Sequence, residues 1–111
     1  DHVNLGQSSN DVIPSAIHIA ALEALVYGLT PALDELEKTL SSKANEFWPV
    51  IKTGRTHLQD ATPIRLGQEF LGFSQQIVIA KQRINHAIDE LSNIALTTCP
   101  LILISSKDIL L

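Results

Sequence analysis

Arg65–Leu96 reads RLGQEFLGFSQQIVIAKQRINHAIDELSNIAL and carries the strongest structural signal in the chain. Apolar residues recur through it at intervals of three and four, which is the period of an α-helix. These residues are Phe70, Phe73, Ile77, Ala80, Ile84, Ala87, Ile88, Leu91, Ile94 and Ala95. A helix of that length spans roughly 45 Å, more than a chain of this size covers by itself. The pattern therefore predicts a long helix that packs against further segments or subunits.

Two more helices are predicted before this one. Asp11–Gly28 is apolar over most of its circumference, which is typical of a helix buried on several sides. Pro31–Phe47 is amphipathic and predicts a surface helix. Gly28 and Pro31 either break the helix or only kink it, because Thr30-Pro31 also suits a new N-cap and first helical position. The sequence therefore predicts an all-α protein.

The segments outside the helices are less regular. Pro49 to Pro63 is expected to be a connector, with Val50-Ile51 as a short extended piece. Residues 1–96 are interpreted as one helical region, and residues 97–111 as a divergent tail of unknown structure. The chain contains no methionine and begins within a polar cluster, so we expect it to be an incomplete part of a longer protein.

Composition excludes several function classes. A net charge of −4 and the lack of Lys/Arg runs argue against nucleic acid and anionic membrane surfaces as partners. No uninterrupted apolar run reaches the 18 or so residues of a membrane span. The single cysteine, Cys99, cannot form an internal disulfide. The four histidines lack the spacing of a helical zinc site, so no metal is predicted.

The first polar cluster is Ser8-Ser9-Asn10-Asp11, where the first helix is predicted to begin. The first N–H groups of a helix lack internal partners and carry partial positive charge. Hydroxyl and carboxamide groups beside such an end can bind a carboxylate without a lysine. The alternative is that Ser9 or Asn10 simply caps the helix, which is the commoner role of these residue types.

The second polar cluster lies in the connector and contains Arg55, Thr56, His57, Gln59 and Asp60. Histidine is the side chain best suited to proton transfer near neutral pH. Thr56 can donate to a substrate oxygen, and Arg55 can contact a carboxylate or fix the loop. Gly54 permits a tight backbone conformation. His57 is therefore a candidate catalytic residue, although a lone loop histidine is more often structural or solvated.

Both clusters occur in longer motifs that resemble one family. Asp1–Asp11, DHVNLGQSSND, resembles the substrate-binding segment of the class II fumarases, in the fumarase/aspartase superfamily. Gly54–Pro63, GRTHLQDATP, resembles their threonine-histidine loop. The resemblance covers about Asp1 to Ala95, and the spacing between the motifs fits without gaps.

The resemblance implies an all-α fold whose long central helices form one bundle from four subunits. It implies reversible trans hydration of fumarate to L-malate, with no metal or organic cofactor. Ser8, Ser9, Asn10 and Thr56 would bind the substrate carboxylates, and His57 would act with the reacting water. Asp1 would belong to a second dicarboxylate site. Such enzymes are cytoplasmic or mitochondrial, and the sequence does not distinguish these locations.

The chain departs from the family after the third helix. The mobile loop Gly-Ser-Ser-x-Met-Pro-x-Lys-x-Asn, which supplies the proton-removing serine, is absent. We therefore expect the 111 residues alone to be inactive. Two alternatives remain open. One is a lyase that eliminates ammonia from aspartate, although Ser8-Ser9-Asn10 and Thr56-His57 favour a fumarase. The other is a non-catalytic helical protein derived from a fumarase.

Overall fold

The computed structural model of the protein describes residues 8–95 and 103–105. Helices dominate this part of the chain, so the predicted all-α class with long helices is confirmed. Two short antiparallel strand pairs accompany them. In chain order the elements are α1 (Ser9–Glu23), a π-helical segment (Ala24–Leu29), α2 (Thr30–Glu46), β1 (Ile51–Thr56), β2 (Gln59–Arg65), α3 (Leu66–Leu91), β3 (Asn93–Ala95) and β4 (Leu103–Ser105).

The junction between α1 and α2 does not break the helix. A single helical segment runs from Ser9 to Glu46, and the π-helical turns occupy the predicted break. The Thr30 N–H donates to the Leu25 carbonyl oxygen, five residues earlier, as in a π-helix. Pro31 has no N–H and its ring crowds the carbonyl four residues before it. The sequence left open a break or a kink at this point; the structure contradicts the break, because Thr30 does not cap a new helix.

The beginning of α1 also differs from the prediction. Ser8 is the N-cap residue, with an extended backbone, and Ser9 and Asn10 already lie within the helix. Neither Ser9 nor Asn10 is therefore the cap. Pro14 is the sixth helical residue rather than part of the first turn.

The continuous helix has a second consequence. Its most apolar 18-residue window has a mean hydropathy of 1.6, so by length and composition alone it could cross a membrane. The sequence prediction concerned uninterrupted apolar runs, none of which reaches 18 residues. The window found here includes polar residues and belongs to a helix that continues past Gly28. Core helices of helical bundles have the same apolar character.

The chain divides into two compact units. The first contains residues 1–30 and 83–111. Within its described part, α1 contacts β3, and β3 pairs antiparallel with β4 in the register Asn93↔Ser105. Leu22 is the buried hydrophobic residue here, at 1% exposure, and the buried polar residues are Ser15 and Ser92. His18, on the apolar helix α1, has a buried Nδ1 without a hydrogen-bond partner among the described residues.

The second unit comprises residues 31–82 and contains α2, the β1–β2 hairpin and the start of α3. Gly67 at the start of α3 is buried against the backbone of Ala44 and Trp48. The Phe47 and Phe70 rings lie 5.2 Å apart, a distance typical of favourable aromatic pairs. These contacts join the end of α2 to the beginning of α3.

Lys81 connects α2 and α3 within this same unit. Its Nζ lies 2.5 Å from an Asp34 carboxylate oxygen and 2.7 Å from a Glu37 oxygen. The hydrogen bond to Asp34, and then that to Glu37, raises the pKa of Lys81 above its ordinary value of 10.5. A single lysine therefore bridges two acidic groups of α2.

The ends of α3 were predicted unequally well. Its start at Leu66 agrees with the expectation near Arg65, and the Gln68 side chain accepts the Arg65 N–H at 2.8 Å, as in half of a capping box. Its end at Leu91 comes earlier than the predicted Leu96. The Ser92 hydroxyl donates to the Asp89 carbonyl at 2.7 Å, and the chain then enters β3. Cys99 lies outside the described residues.

Candidate active site

The second polar cluster lies on a β-hairpin rather than an irregular connector. β1 and β2 pair antiparallel, from Ile51↔Arg65 at the base to Thr56↔Gln59 at the tip. The carbonyl oxygen of Val50, the residue before β1, accepts the Leu66 N–H at 2.9 Å, which closes the base of the hairpin at α3. The expectation of a loop with one short extended piece was therefore wrong. The pairing places Thr56 at the end of β1, directly before the turn.

His57 and Leu58 form the two-residue turn at the tip. Both have positive φ, 50° for His57 and 61° for Leu58, as a type I′ turn requires. This left-handed conformation costs a non-glycine residue roughly 1–2 kcal/mol, and Asn-Gly is the usual solution. Leu58 is 93% exposed, so no burial of its side chain offsets the strain. Strain of this kind at an exposed histidine is a feature that recurs at functional sites.

Gly54 lies at an irregularity in the hairpin. Below it Thr53 pairs with Pro63, whereas above it Arg55 pairs with Asp60, so Gly54 alone faces two residues of β2. A Cβ at Gly54 would lie 2.8 Å from the Thr62 carbonyl oxygen, closer than real Cβ contacts allow. Glycine is thus required for the close backbone approach, as the sequence suggested.

Arg55 fixes the tip, one of the two roles that its position suggested. Its Nε lies 3.2 Å from Asp60 Oδ1, across the last pairs before the turn. Both side chains are more than 70% exposed, so the ion pair is screened by solvent. Near the base, Lys52 pairs with Glu69 of α3 at 2.9 Å.

A shallow depression of about 280 Å³ lies beside the hairpin. Lys52, Thr53, Arg55 and Glu69 line it. Each of its two cations already has a carboxylate partner, so an anion would have to displace Glu69 or Asp60. The depression therefore has the cationic groups of an anion-binding site, but both cations are already paired with carboxylates.

The first cluster lies at the N-terminus of α1. The Ser8 carbonyl accepts hydrogen bonds from the Asp11 and Val12 N–H groups, at 3.1 and 3.0 Å. The Ser8 hydroxyl makes no capping hydrogen bond, and the side chains of Ser9 and Asn10 are exposed. Among the described residues, none of the three side chains performs the capping role that composition favoured, and all three lie at the positive end of the helix.

The two clusters belong to different units. Ser8, Ser9 and Asn10 lie together at α1, while Thr56 and His57 lie together at the hairpin tip. Asp1 lies outside the described residues. Among residues 8–95 and 103–105, no group of three or more His, Cys, Asp or Glu side chains could hold a metal ion. Sequence reasoning missed Leu58, because a leucine gives no turn signal.

Comparison with known proteins assigns the chain to a family. A family model described as lyase matches residues 1–99. The class II fumarate hydratase of Halobacterium salinarum is 56% identical over 96 residues, and that of Nitrosomonas europaea 55%. Each match covers 86% of this chain. The chain spans about a fifth of the length of these relatives, at 20% and 21%.

A solved structure agrees with the sequence relatives. The crystal structure of class II fumarase from Schistosoma mansoni superimposes with a TM-score of 0.80 at 40% identity, over 84% of this chain and 19% of that one. The chain therefore belongs to the lyase family, and within it resembles the class II fumarate hydratases.

Proposed function

We propose that this chain carries part of a fumarate hydratase site, for the reversible trans addition of water to fumarate that gives L-malate. The observation that carries the proposal is the turn at the hairpin tip, where His57 has a φ of 50° beside Thr56. A catalytic base must be held in one orientation to reach its proton. A strained two-residue turn provides that restriction for the backbone of His57.

Thr56, Ser8, Ser9 and Asn10 are proposed to bind the two carboxylates of the substrate. Hydroxyl and carboxamide donors at a helix N-terminus can bind an anion. They hold it less tightly than a cationic side chain would. Addition of water passes through a carbanion with its charge on an adjacent carboxylate. Donors fixed around that carboxylate stabilise the transition state more than the ground state.

His57 is proposed to accept a proton from the reacting water while the water oxygen bonds to one alkene carbon. The electron pair of the double bond moves to the other carbon and its carboxylate. A second group must then deliver a proton to that carbon. In the family this role belongs to the serine of the mobile loop whose signature the sequence lacks. The 111 residues alone are accordingly expected to give no detectable hydration.

Asp1 is proposed to contribute to a second, non-catalytic dicarboxylate site. The apolar helix Ser9–Glu46 is proposed to pack in a helical bundle of four subunits, rather than to cross a membrane. Its exposed residues Ile13, Ile17 and Tyr27 support this, because they lack cover within the described part of the chain. A bundle would bury them without lipid.

The test is a chimera in which this chain's matching residues replace the equivalent segment of the Nitrosomonas europaea class II fumarate hydratase, 55% identical. The chimera is expected to hydrate fumarate. His57→Asn should lower kcat by about 10²–10⁴-fold, the usual contribution of a general base. His86→Asn, at an exposed position of α3, is the matched control and should change kcat less than about two-fold.

The outcomes separate the candidate functions. Equal losses in both variants, or full activity with His57→Asn, would refute the role of His57. Ammonia release from aspartate in place of fumarate hydration would favour the aspartase-type alternative. Turnover by the 111-residue chain alone would overturn the expectation that it needs the rest of the site.

A further inference from the structure

The bulge in β2 opposite Gly54, where Ala61 and Thr62 face this one residue of β1, sets the length of the turn that carries His57. In the half of the hairpin nearer its base, Thr53 faces Pro63. If that register continued to the tip, Thr56 would face Asp60, and three residues would remain for the turn. Because Gly54 faces two residues of β2, Thr56 instead faces Gln59 and only His57 and Leu58 remain. The bulge therefore converts a three-residue turn into a two-residue turn.

Turn length determines the conformation of His57. Two-residue hairpin turns of type I′ need positive φ at both central positions, which His57 and Leu58 adopt. A three-residue turn usually begins with a right-handed type I turn, so its first residue has negative φ. A change of register at Gly54 would thus move His57 out of the left-handed region and reorient its side chain relative to Thr56.

The ion pair between Arg55 and Asp60 selects the same register. The two residues are direct partners only above the bulge, and their side chains meet at 3.2 Å. In the uninterrupted register Arg55 would face Ala61, and the charge attraction across the strand would be lost. The bulge and the ion pair thus favour the same register. Because the ion pair is exposed to solvent, it contributes only modestly to the stability of that register.

We propose that Gly54, assisted by the Arg55–Asp60 ion pair, is a positioning element that sets the two-residue turn and thereby the backbone conformation of His57. The inference rests on the proposed function only for its catalytic consequence. The structural part concerns the hairpin alone and is tested without any activity measurement.

The structural test is NMR spectroscopy of the isotope-labelled 111-residue chain. The parent should show close Thr56 and Gln59 amide protons and a positive φ at His57. Gly54→Ala should lose both signals, because its Cβ meets the Thr62 carbonyl. Gly72→Ala is the matched control: nothing lies within 4 Å of the added Cβ, so both signals should persist. A parent without them, or Gly54→Ala with them, would overturn the proposal.

Two charge variants test the contribution of the ion pair. Arg55→Gln should increase the fraction of chains without the Thr56–Gln59 contact by about two- to five-fold, the range of exposed pairs. The exchange Arg55→Asp with Asp60→Arg should restore the parental fraction. If the exchange behaves like the single variant, the pair does not select the register.

The catalytic consequence is tested in the chimera. Gly54→Ala should lower kcat by about ten-fold or more with KM within about two-fold, because a displaced base loses transition-state contacts. A mere loss of stability would reduce the active fraction without changing kcat of the folded enzyme. If the NMR result holds but His57→Asn leaves the chimera fully active, the proposed function fails while the role of Gly54 in the turn stands.

Discussion

The hairpin and the helices differ in where their stabilising contacts come from. The hairpin forms its own pairs between β1 and β2 over residues 51–65, and Arg55 and Asp60 add an ion pair within it. The helices instead leave large apolar side chains in solvent, among them Ile13, Ile17, Leu71, Phe73 and Ile79. In the described part of the chain, the only buried hydrophobic residues are Leu22 and Ala44.

This difference shows which properties are local. The 15 residues of the hairpin make the contacts that set the geometry of the candidate catalytic turn. The apolar faces of the helices, in contrast, are not buried by the described residues. The helical bundle proposed above would provide cover for such faces. Substitutions can therefore affect one region strongly in the assembled protein and hardly at all in the isolated chain.

The largest contrast is expected for Ile17→Asp. Ile17 is 61% exposed, so the free energy of unfolding of the isolated chain should change by about 0.5 kcal/mol or less. In the chimera the carboxylate would lie unpaired in the bundle, which should prevent assembly and reduce activity more than about 100-fold. Analytical ultracentrifugation and fumarate turnover measure both effects, with Ile17→Val as the conservative control. An assembled, active Ile17→Asp chimera would contradict the contrast.

Gly67→Ala should have the largest effect on the isolated chain. The added Cβ meets the Ala44 carbonyl and the Trp48 backbone, which cannot move aside as a flexible side chain would. Overpacking of this kind costs about 1–3 kcal/mol. Urea denaturation measures the loss. Gly72→Ala, five residues further along α3 and in open space, should be neutral or stabilising by up to about 1 kcal/mol. Similar behaviour of the two variants would exclude close packing as the cause.

A smaller effect is expected from alkaline titration of Lys81. Because Asp34 and Glu37 raise its pKa, the folded chain holds this proton more tightly than the unfolded chain. The resulting stability is fully present below pH 10.5 and is lost as pH rises through the higher folded value. In the Lys81→Arg variant the arginine side chain stays charged at such pH. The free energy of unfolding of this variant should therefore fall less than that of the parent between pH 10 and 12. Identical alkaline losses in the two chains would contradict this linkage.

The smallest effect is expected for Lys43→Gln. Lys43 pairs with Glu46 at 2.7 Å, and its Nζ lies 5.4 Å from the centre of the Phe47 ring. Both charged side chains are about half exposed, so solvent weakens the contacts. The free energy of unfolding should fall by about 0.5 kcal/mol or less. A loss above about 1 kcal/mol in thermal denaturation would show that this surface is less screened than its exposure indicates.

The sequence predicted the helices because their signal is periodic and extends over many residues. Apolar spacing from Phe70 to Leu91 is unmistakable, and the start of α3 follows from the change in residue type after Pro63. The sequence left open whether the helix breaks or continues at Gly28 and Pro31, because a π-helical turn has no signature in residue type that would decide between them. Helix ends remain the least certain feature, as the early end of α3 shows.

The hairpin was missed for a different reason. Its turn is His57-Leu58 rather than Asn-Gly, and Pro63 normally argues against a strand. The chemical character of Thr56 and His57 was nevertheless evident, because residue type alone indicates proton transfer and hydrogen bonding. What residue type could not give is the conformation of His57, which depends on register and therefore on contacts between the two strands.

The hairpin has one further property that follows from its two strands. Each strand of the β1–β2 sheet has the other as its sole partner within the described residues, so each presents an open edge. Open edges invite pairing with strands of other molecules. Here β2 contains a proline, Pro63, the bulge opposite Gly54 interrupts the ladder, and each strand carries two charged residues, Lys52 and Arg55 in β1 and Asp60 and Arg65 in β2. The irregularity that shapes the turn therefore also protects the chain from edge-to-edge association, so uncontrolled aggregation should begin at the helices instead.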